Sequence, residues 1–191
     1  MDILALPGSL RRASCNRRLL MAAAELAPPG MTLQIWNEMG SIPLYDEDLE
    51  RETNGGPEPV RRLRSRLAEA DGLLIATPEY NHSVPGVLKN TIDWLSRPGP
   101  EEPLAGKPVA IIGATRGRWG TRLAQSALRQ VLYSTESLVL PSPALFLANA
   151  SNAFDEDGRL VDEQARRNLG ALLSAFQQWI ERVTGQADRP S

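Results

Sequence analysis

The chain has 191 residues, a formal net charge of −2, 42% apolar residues and one cysteine. That length fits a single domain of roughly 100 to 200 residues that can bury a full core unaided, and the near-neutral charge gives no reason to expect nucleic acid or an anionic membrane as partner. With Cys15 alone, an intramolecular disulfide and a cysteine-built metal or iron–sulfur site are excluded.

The first seven residues, Met1 to Pro7, lack both the basic stretch and the long apolar core of a signal peptide. No apolar run approaches the roughly 18 residues that a membrane span needs, so the expected location is cytoplasmic. Ile3-Leu4-Ala5-Leu6 is a short continuous apolar run ending in Pro7-Gly8-Ser9, as suits a strand buried on both faces. A basic, polar loop (residues 8–14) follows, then a helical pattern with Leu19, Leu20, Ala23 and Leu26 on one face, stopped by Pro28-Pro29-Gly30. Thr32 to Trp36 alternates like a strand, and residues 37–58 read as a long loop. Val60, Leu63, Leu67 and Ala70 mark a second helix ending at Asp71-Gly72.

Leu73-Leu74-Ile75-Ala76-Thr77 is the clearest buried strand, and it runs into Pro78-Glu79-Tyr80-Asn81-His82-Ser83. A third helix is expected from about Gly86 to Ser96, and a fourth strand over Val109 to Gly113. A glycine-bearing loop (114–120) leads to a helix holding Leu123, Ala127, Leu128, Val131 and Leu132. Leu138 to Leu140 and Ala144 to Leu147 supply a fifth strand, interrupted at Pro141 and Pro143. A last helix carries Leu169, Leu172, Leu173, Phe176 and Ile180. Strands alternating with helices predict an open parallel sheet wrapped on both faces, in one domain over residues 1–184 with a frayed tail at 185–191.

In such sheets the ligand sits beyond the carboxyl ends of the strands. Here those ends are the loops at 8–14, 78–83 and 114–120, all rich in polar residues or glycine. The first suits a phosphate: Ser9 and Ser14 offer hydroxyls, Arg11 offers charge, and the helix start near Asn16 presents free N–H groups. Equally, Ser14 could simply cap the helix while the arginines face water. The spacing Gly-x-Gly-x-x-Gly does not follow Gly8, and no P-loop signature is present, so a mononucleotide such as FMN matches better than a tightly bound dinucleotide. The second loop combines backbone N–H groups with flat side chains, as the edge of an aromatic heterocycle requires. A lone histidine, His82, without cysteine partners is a poor metal ligand but can touch substrate.

Together, Gly8-Ser9-Leu10-Arg11 with Ser14 and Asn16, and the stretch from Thr77-Pro78-Glu79-Tyr80-Asn81 through Arg97, resemble the NAD(P)H-dependent FMN reductase family, which includes chromate and quinone reductases. Ile42-Pro43-Leu44-Tyr45-Asp46 and Leu104-Ala105-Gly106-Lys107-Pro108 match its connecting segments, and the similarity spans about residues 3 to 180. The resemblance implies a flavodoxin-like α/β fold with a five-stranded parallel sheet in the order 2-1-3-4-5. It implies FMN as cofactor, with NADPH or NADH as donor and a quinone, azo compound, chromate or free flavin as acceptor. Ser9, Leu10, Arg11, Ser14, Cys15 and Asn16 would surround the FMN phosphate. Pro78, Glu79, Tyr80 and Asn81 would line the ring, and Thr115, Arg116 and Gly117 would close its other side.

The third loop departs from the family pattern of small serines and paired glycines, reading Ala114-Thr115-Arg116-Gly117-Arg118-Trp119-Gly120. His82, Arg118 and Trp119 would then face the substrate, and Arg116 or Arg118 would suit the 2′-phosphate of NADPH. A homodimer or homotetramer is expected, with Val87, Leu88, Ile92, Trp94 and Leu95 at the interface, although a fully buried helix explains the same residues. No catalytic side chain is expected, since flavin N5 carries the chemistry and the two substrates take turns in a ping-pong cycle. The rival readings are a flavodoxin-like electron carrier and a non-catalytic flavin-binding module.

Overall fold

Side chains of the central strands alternate between two buried faces, and this alternation decides which helices cover each side. The computed structural model describes residues 1–97 and 102–185. Strands β1 (Asp2–Pro7), β2 (Thr32–Ile35), β3 (Gly72–Ala76), β4 (Pro108–Ala114), β5 (Leu138–Val139) and β6 (Leu145–Leu147) form one sheet. Every pairing is parallel; the order is β2-β1-β3-β4, and β5 and β6 both pair with β4. This is the expected flavodoxin-like order, with the fifth strand split where Pro141 and Pro143 fall between its halves. Proline offers no N–H to a ladder, so it breaks the edge there.

The helices are α1 (Cys15–Glu25), α2 (Glu47–Glu52), α3 (Glu58–Glu69), α4 (Gly86–Leu95), α5 (Arg122–Ser134) and α6 (Glu163–Thr184). On β3, Leu74 and Ala76 join the core under α1 and α6, while Leu73 and Ile75 join the core under α3, α4 and α5. No helix among the described residues is long and apolar enough to cross a membrane. The expected tail lies, beyond Gly185, outside the described residues.

Two expectations need correction. Residues 37–58 are not a plain loop, because they contain a 3₁₀ turn at Met39–Ser41 and then α2. The α2 signal is local: the Asp46 carboxylate accepts from the N–H groups of Asp48 and Leu49 at 2.8 and 3.4 Å, and Glu47 and Asp48 sit in the positive first turn. Second, the apolar surplus of α4 does not argue for an interface, since Leu88, Ile92, Trp94 and Leu95 are buried within this chain. Part of the cover is the segment before α2: Pro43 O accepts from Asn90 Nδ2 at 2.7 Å and from Trp94 Nε1 at 2.8 Å, and Tyr45 N–H donates to Asn90 Oδ1 at 2.8 Å.

Candidate functional site at the carboxyl ends of the strands

The first loop leaves β1 through Gly8, whose N–H donates to Ala76 O at 2.8 Å. A Cβ at Gly8 would lie 3.1 Å from both Ala76 O and Pro78 Cδ, so a side chain there would press the first loop off the second. Ser14 is the N-cap of α1, its Oγ accepting from Arg17 N–H at 3.3 Å. The backbone N–H groups of Arg12, Ala13, Cys15 and Asn16 donate to no acceptor among the described residues. Free donors at a helix start, with Arg11 beside them, have the chemistry that suits an anion.

Asn16 does something that its position in the sequence does not announce. Its side chain is 2% exposed, and both ends of its amide are engaged: Nδ2 donates to Ala114 O and Oδ1 accepts from Ala114 N–H, each at 2.8 Å. It therefore sews the first loop to the third and offers a ligand only its backbone N–H.

The second loop leaves β3 at Thr77, whose N–H donates to Ile112 O at 2.9 Å. Tyr80 and Ser83 exchange backbone hydrogen bonds of 3.2 and 3.0 Å around Asn81 and His82, which have φ of 49° and 61°. This is the two-residue turn with both centres left-handed, which asparagine tolerates. Tyr80 Oη lies 3.2 Å from Ser9 Oγ and ties this loop to the first. Glu79 reaches the other way: its Oε2 accepts from the N–H groups of Leu123 and Ala124 at 2.9 and 3.0 Å, capping α5 from outside that helix, where Thr121 supplies no side-chain cap. The mostly buried Glu79 carboxylate also lies 3.4 Å from Nδ1 of the exposed His82. Glu79→Ala is expected to lower stability by about 1–2 kcal/mol in thermal unfolding, with Glu79→Gln keeping most of it because an amide oxygen still accepts. Equal losses in the two variants would mean that the cap is not what Glu79 contributes.

The third loop is supported by the end of β6 and the turn that follows it. Thr115 N–H donates to Leu147 O at 2.9 Å, Ala150 N–H to Thr115 O at 2.9 Å, and Asn149 N–H to Gly117 O at 3.1 Å. Thr115 Oγ1 accepts from Gly117 N–H at 3.3 Å. Beyond them Arg118 stacks 4.8 Å from the ring centre of Trp119, which is 70% exposed.

The three loops enclose a recess of about 170 Å³. Ser9, Arg11, Ser14, Cys15 and Asn16 line it from the first loop, Pro78, Glu79 and Tyr80 from the second, and Thr115 and Arg116, with Ala114, from the third. Of the other residues expected at the site, Asn81, His82, Gly117, Arg118 and Trp119 lie outside its wall, and Leu10 lines a neighbouring recess. Hydroxyls, one guanidinium and free N–H groups at one end, with Tyr80 and the third-loop backbone at the other, fit a phosphate-bearing aromatic heterocycle such as FMN.

Residues 1–152 match the family described as NADPH-dependent FMN reductase. The chain is 47% identical over 185 residues to an NAD(P)H-dependent FMN reductase of Pseudomonas aeruginosa, covering 97% of this chain and 98% of that one. It is 39% identical over 184 residues to a quinone reductase of Escherichia coli K12, covering 96% and 97%. Among solved structures, it superimposes on a flavoenzyme NAD(P)H:(acceptor) oxidoreductase of Paracoccus denitrificans with a TM-score of 0.86, 34% identity and coverage of 95% and 97%.

Proposed function

The chain belongs to the NADPH-dependent FMN reductase family, and from that premise we propose that this oxidoreductase holds FMN in the three-loop recess and passes electrons from NADPH or NADH to a small acceptor, a quinone above all. The observation that carries the reading is the convergence of Ser9, Arg11 and Ser14, with the unpartnered N–H groups of Cys15 and Asn16, on the same recess as Tyr80 and Thr115. When bound, FMN supplies the hydride chemistry, accepting at N5 and releasing electrons to the acceptor.

The protein's part is position and charge. Arg11 and the start of α1 would neutralise the phosphate; Glu79 and Tyr80 would meet one edge of the ring and Thr115 and Arg116 the other side, with Asn81 and Gly117 shaping the second and third loops from outside the wall. His82, Arg118 and Trp119 stand outside the recess wall, where they would limit the shape and charge of what enters. Donor and acceptor would each reach the ring from the side that the three loops leave uncovered, binding in turn and giving ping-pong kinetics. Azo compounds, chromate and free flavin are further acceptors small enough for the same approach. A homodimer or homotetramer remains part of the proposal on the family resemblance, without support from α4.

The test is the visible spectrum of the purified protein with added FMN, followed by NADPH without oxygen. Flavin bands that bleach, and then recover on adding menadione, are expected. Bound flavin that stays oxidised with both NADPH and NADH would make the protein an electron carrier. Failure to bind flavin would overturn the cofactor assignment.

A further inference from the structure

Beside the three-loop recess, on the β2 side of the first loop, lies a second recess of about 360 Å³. Its polar wall is Arg11, Arg12 and Arg17 with Asn37, and its apolar wall includes Leu10 and Met39. No acidic residue lines it. Several arginines elsewhere pair with a carboxylate, Arg51 with Asp48, Arg62 with Glu38 and Arg166 with Glu25, and others are held on rings or main-chain oxygens, as Arg122 is over Phe146 and Arg129 on Leu140 O. By contrast, among the described residues no carboxylate pairs with Arg11, Arg12 or Arg17, and the Arg11 guanidinium donates only to Ala13 O at 2.8 Å. The acid nearest in sequence to Asn37, Glu38, is itself taken by Arg62. Arg12 and Arg17, lining one concavity without a carboxylate and beside the Arg11 shared with the flavin phosphate, suit a dianion, which arginine binds through paired N–H donors.

We propose that this recess takes the phosphomonoester of a nucleotide, specifically the 2′-phosphate end of NADPH, with the adenine against the exposed Leu10. The proposal rests on the donor being a nicotinamide dinucleotide, as argued above. Ser9 and Arg11 are common to both recesses, so the donor's adenosine end would lie beside the flavin phosphate, separated from it by the first loop. The third-loop arginines are the weaker candidates, because Arg118 is already stacked on Trp119. Preference for NADPH over NADH then resides in Arg12 and Arg17, neither of which lines the three-loop recess.

The probe is adenosine 2′,5′-bisphosphate, titrated calorimetrically into the protein with and without FMN, and compared with 5′-AMP. The bisphosphate is expected to bind at least about tenfold more tightly than 5′-AMP. The double variant Arg12→Gln/Arg17→Gln is expected to lose that margin and to raise KM for NADPH by about tenfold or more, leaving KM for NADH, FMN affinity and melting temperature unchanged. Equal binding of the two nucleotides would overturn the proposal. So would equal losses for NADPH, NADH and FMN, which would mark a general field effect, or a loss that follows Arg116→Gln/Arg118→Gln instead. If FMN does not bind, the cofactor reading fails, while titration of the flavin-free protein still decides whether the recess binds the bisphosphate.

Discussion

Replacing Gly113 by alanine is expected to cost about 3 kcal/mol and to lower the melting temperature by roughly 6–12 °C, the shift that corresponds to such a loss in a chain of this size. Gly113 lies in β4, opposite Phe146 of β6, with an ordinary backbone conformation, so the reason is space rather than φ. A Cβ there would collide with Thr121 Oγ1 and would stand 2.6 Å from Thr77 O and 2.9 Å from Thr121 Cβ. Neither neighbour yields easily. Thr77 is the fully buried exit of β3, and the equally buried Thr121 is tied to α5, its main-chain oxygen accepting from Gln125 N–H at 2.9 Å and its hydroxyl from Gln125 Nε2 at 3.0 Å. Because Thr77 leads into the second loop and Thr121 ends the third, FMN affinity should fall along with stability. Gly170 in α6, where an added Cβ meets nothing within 4 Å, is the matched control, and alanine there should be neutral or mildly stabilising. Urea or thermal unfolding of the two variants decides the matter: similar stabilities would mean that the close packing under the loops has been misread.

What could be read from the residues was set by how locally each feature is encoded. The runs Ile3 to Leu6 and Leu73 to Ala76 announced buried parallel strands because their composition is uniform along the chain. Which face each side chain took was not legible, since both faces are apolar and only the assembled helices distinguish them. The cap at Asp46 was encoded within three residues and could have been found. The roles of Asn16 and Glu79 could not, because their partners lie 98 and 44 residues away, and any main-chain amide would satisfy them. Both side chains belong to loops expected to hold FMN, yet their side-chain polar groups hold the loops to one another. Likewise, the apolar residues of α4 could not reveal whether another subunit or the chain's own Pro43 segment covered them. Trp94 donating its indole N–H to Pro43 O shows that the chain itself supplies part of the cover.

Asn16→Ala is the variant that separates a ligand from a fastening. Ala114 ends β4, pairing on one edge with Leu147 of β6, and on the other side the Asn16 amide takes the place of a strand, meeting both its N–H and its C=O. Alanine leaves those two buried backbone groups without partners, each at a cost of about 1–3 kcal/mol, so the expected loss is about 2–6 kcal/mol. The third loop also loses its tie to the first, and FMN affinity should drop even though the α1 N–H groups remain. Asn16→Asp sharpens the test. An ionised carboxylate can accept from Ala114 N–H but must face Ala114 O without a proton, so burial and that oxygen would raise its folded-state pKa. A raised folded pKa means stability present at low pH and lost as pH rises through that value, so the gap between this variant and wild type should narrow from about pH 8 to about pH 5. If Asn16→Ala instead abolished FMN binding with melting unchanged, Asn16 would be a direct phosphate ligand and its amide would turn toward the cofactor when FMN binds. Joint loss of stability and affinity, with the acid-side recovery of the aspartate variant, would establish that the first loop is held in its binding shape by a hydrogen-bonded pair reaching to the end of β4.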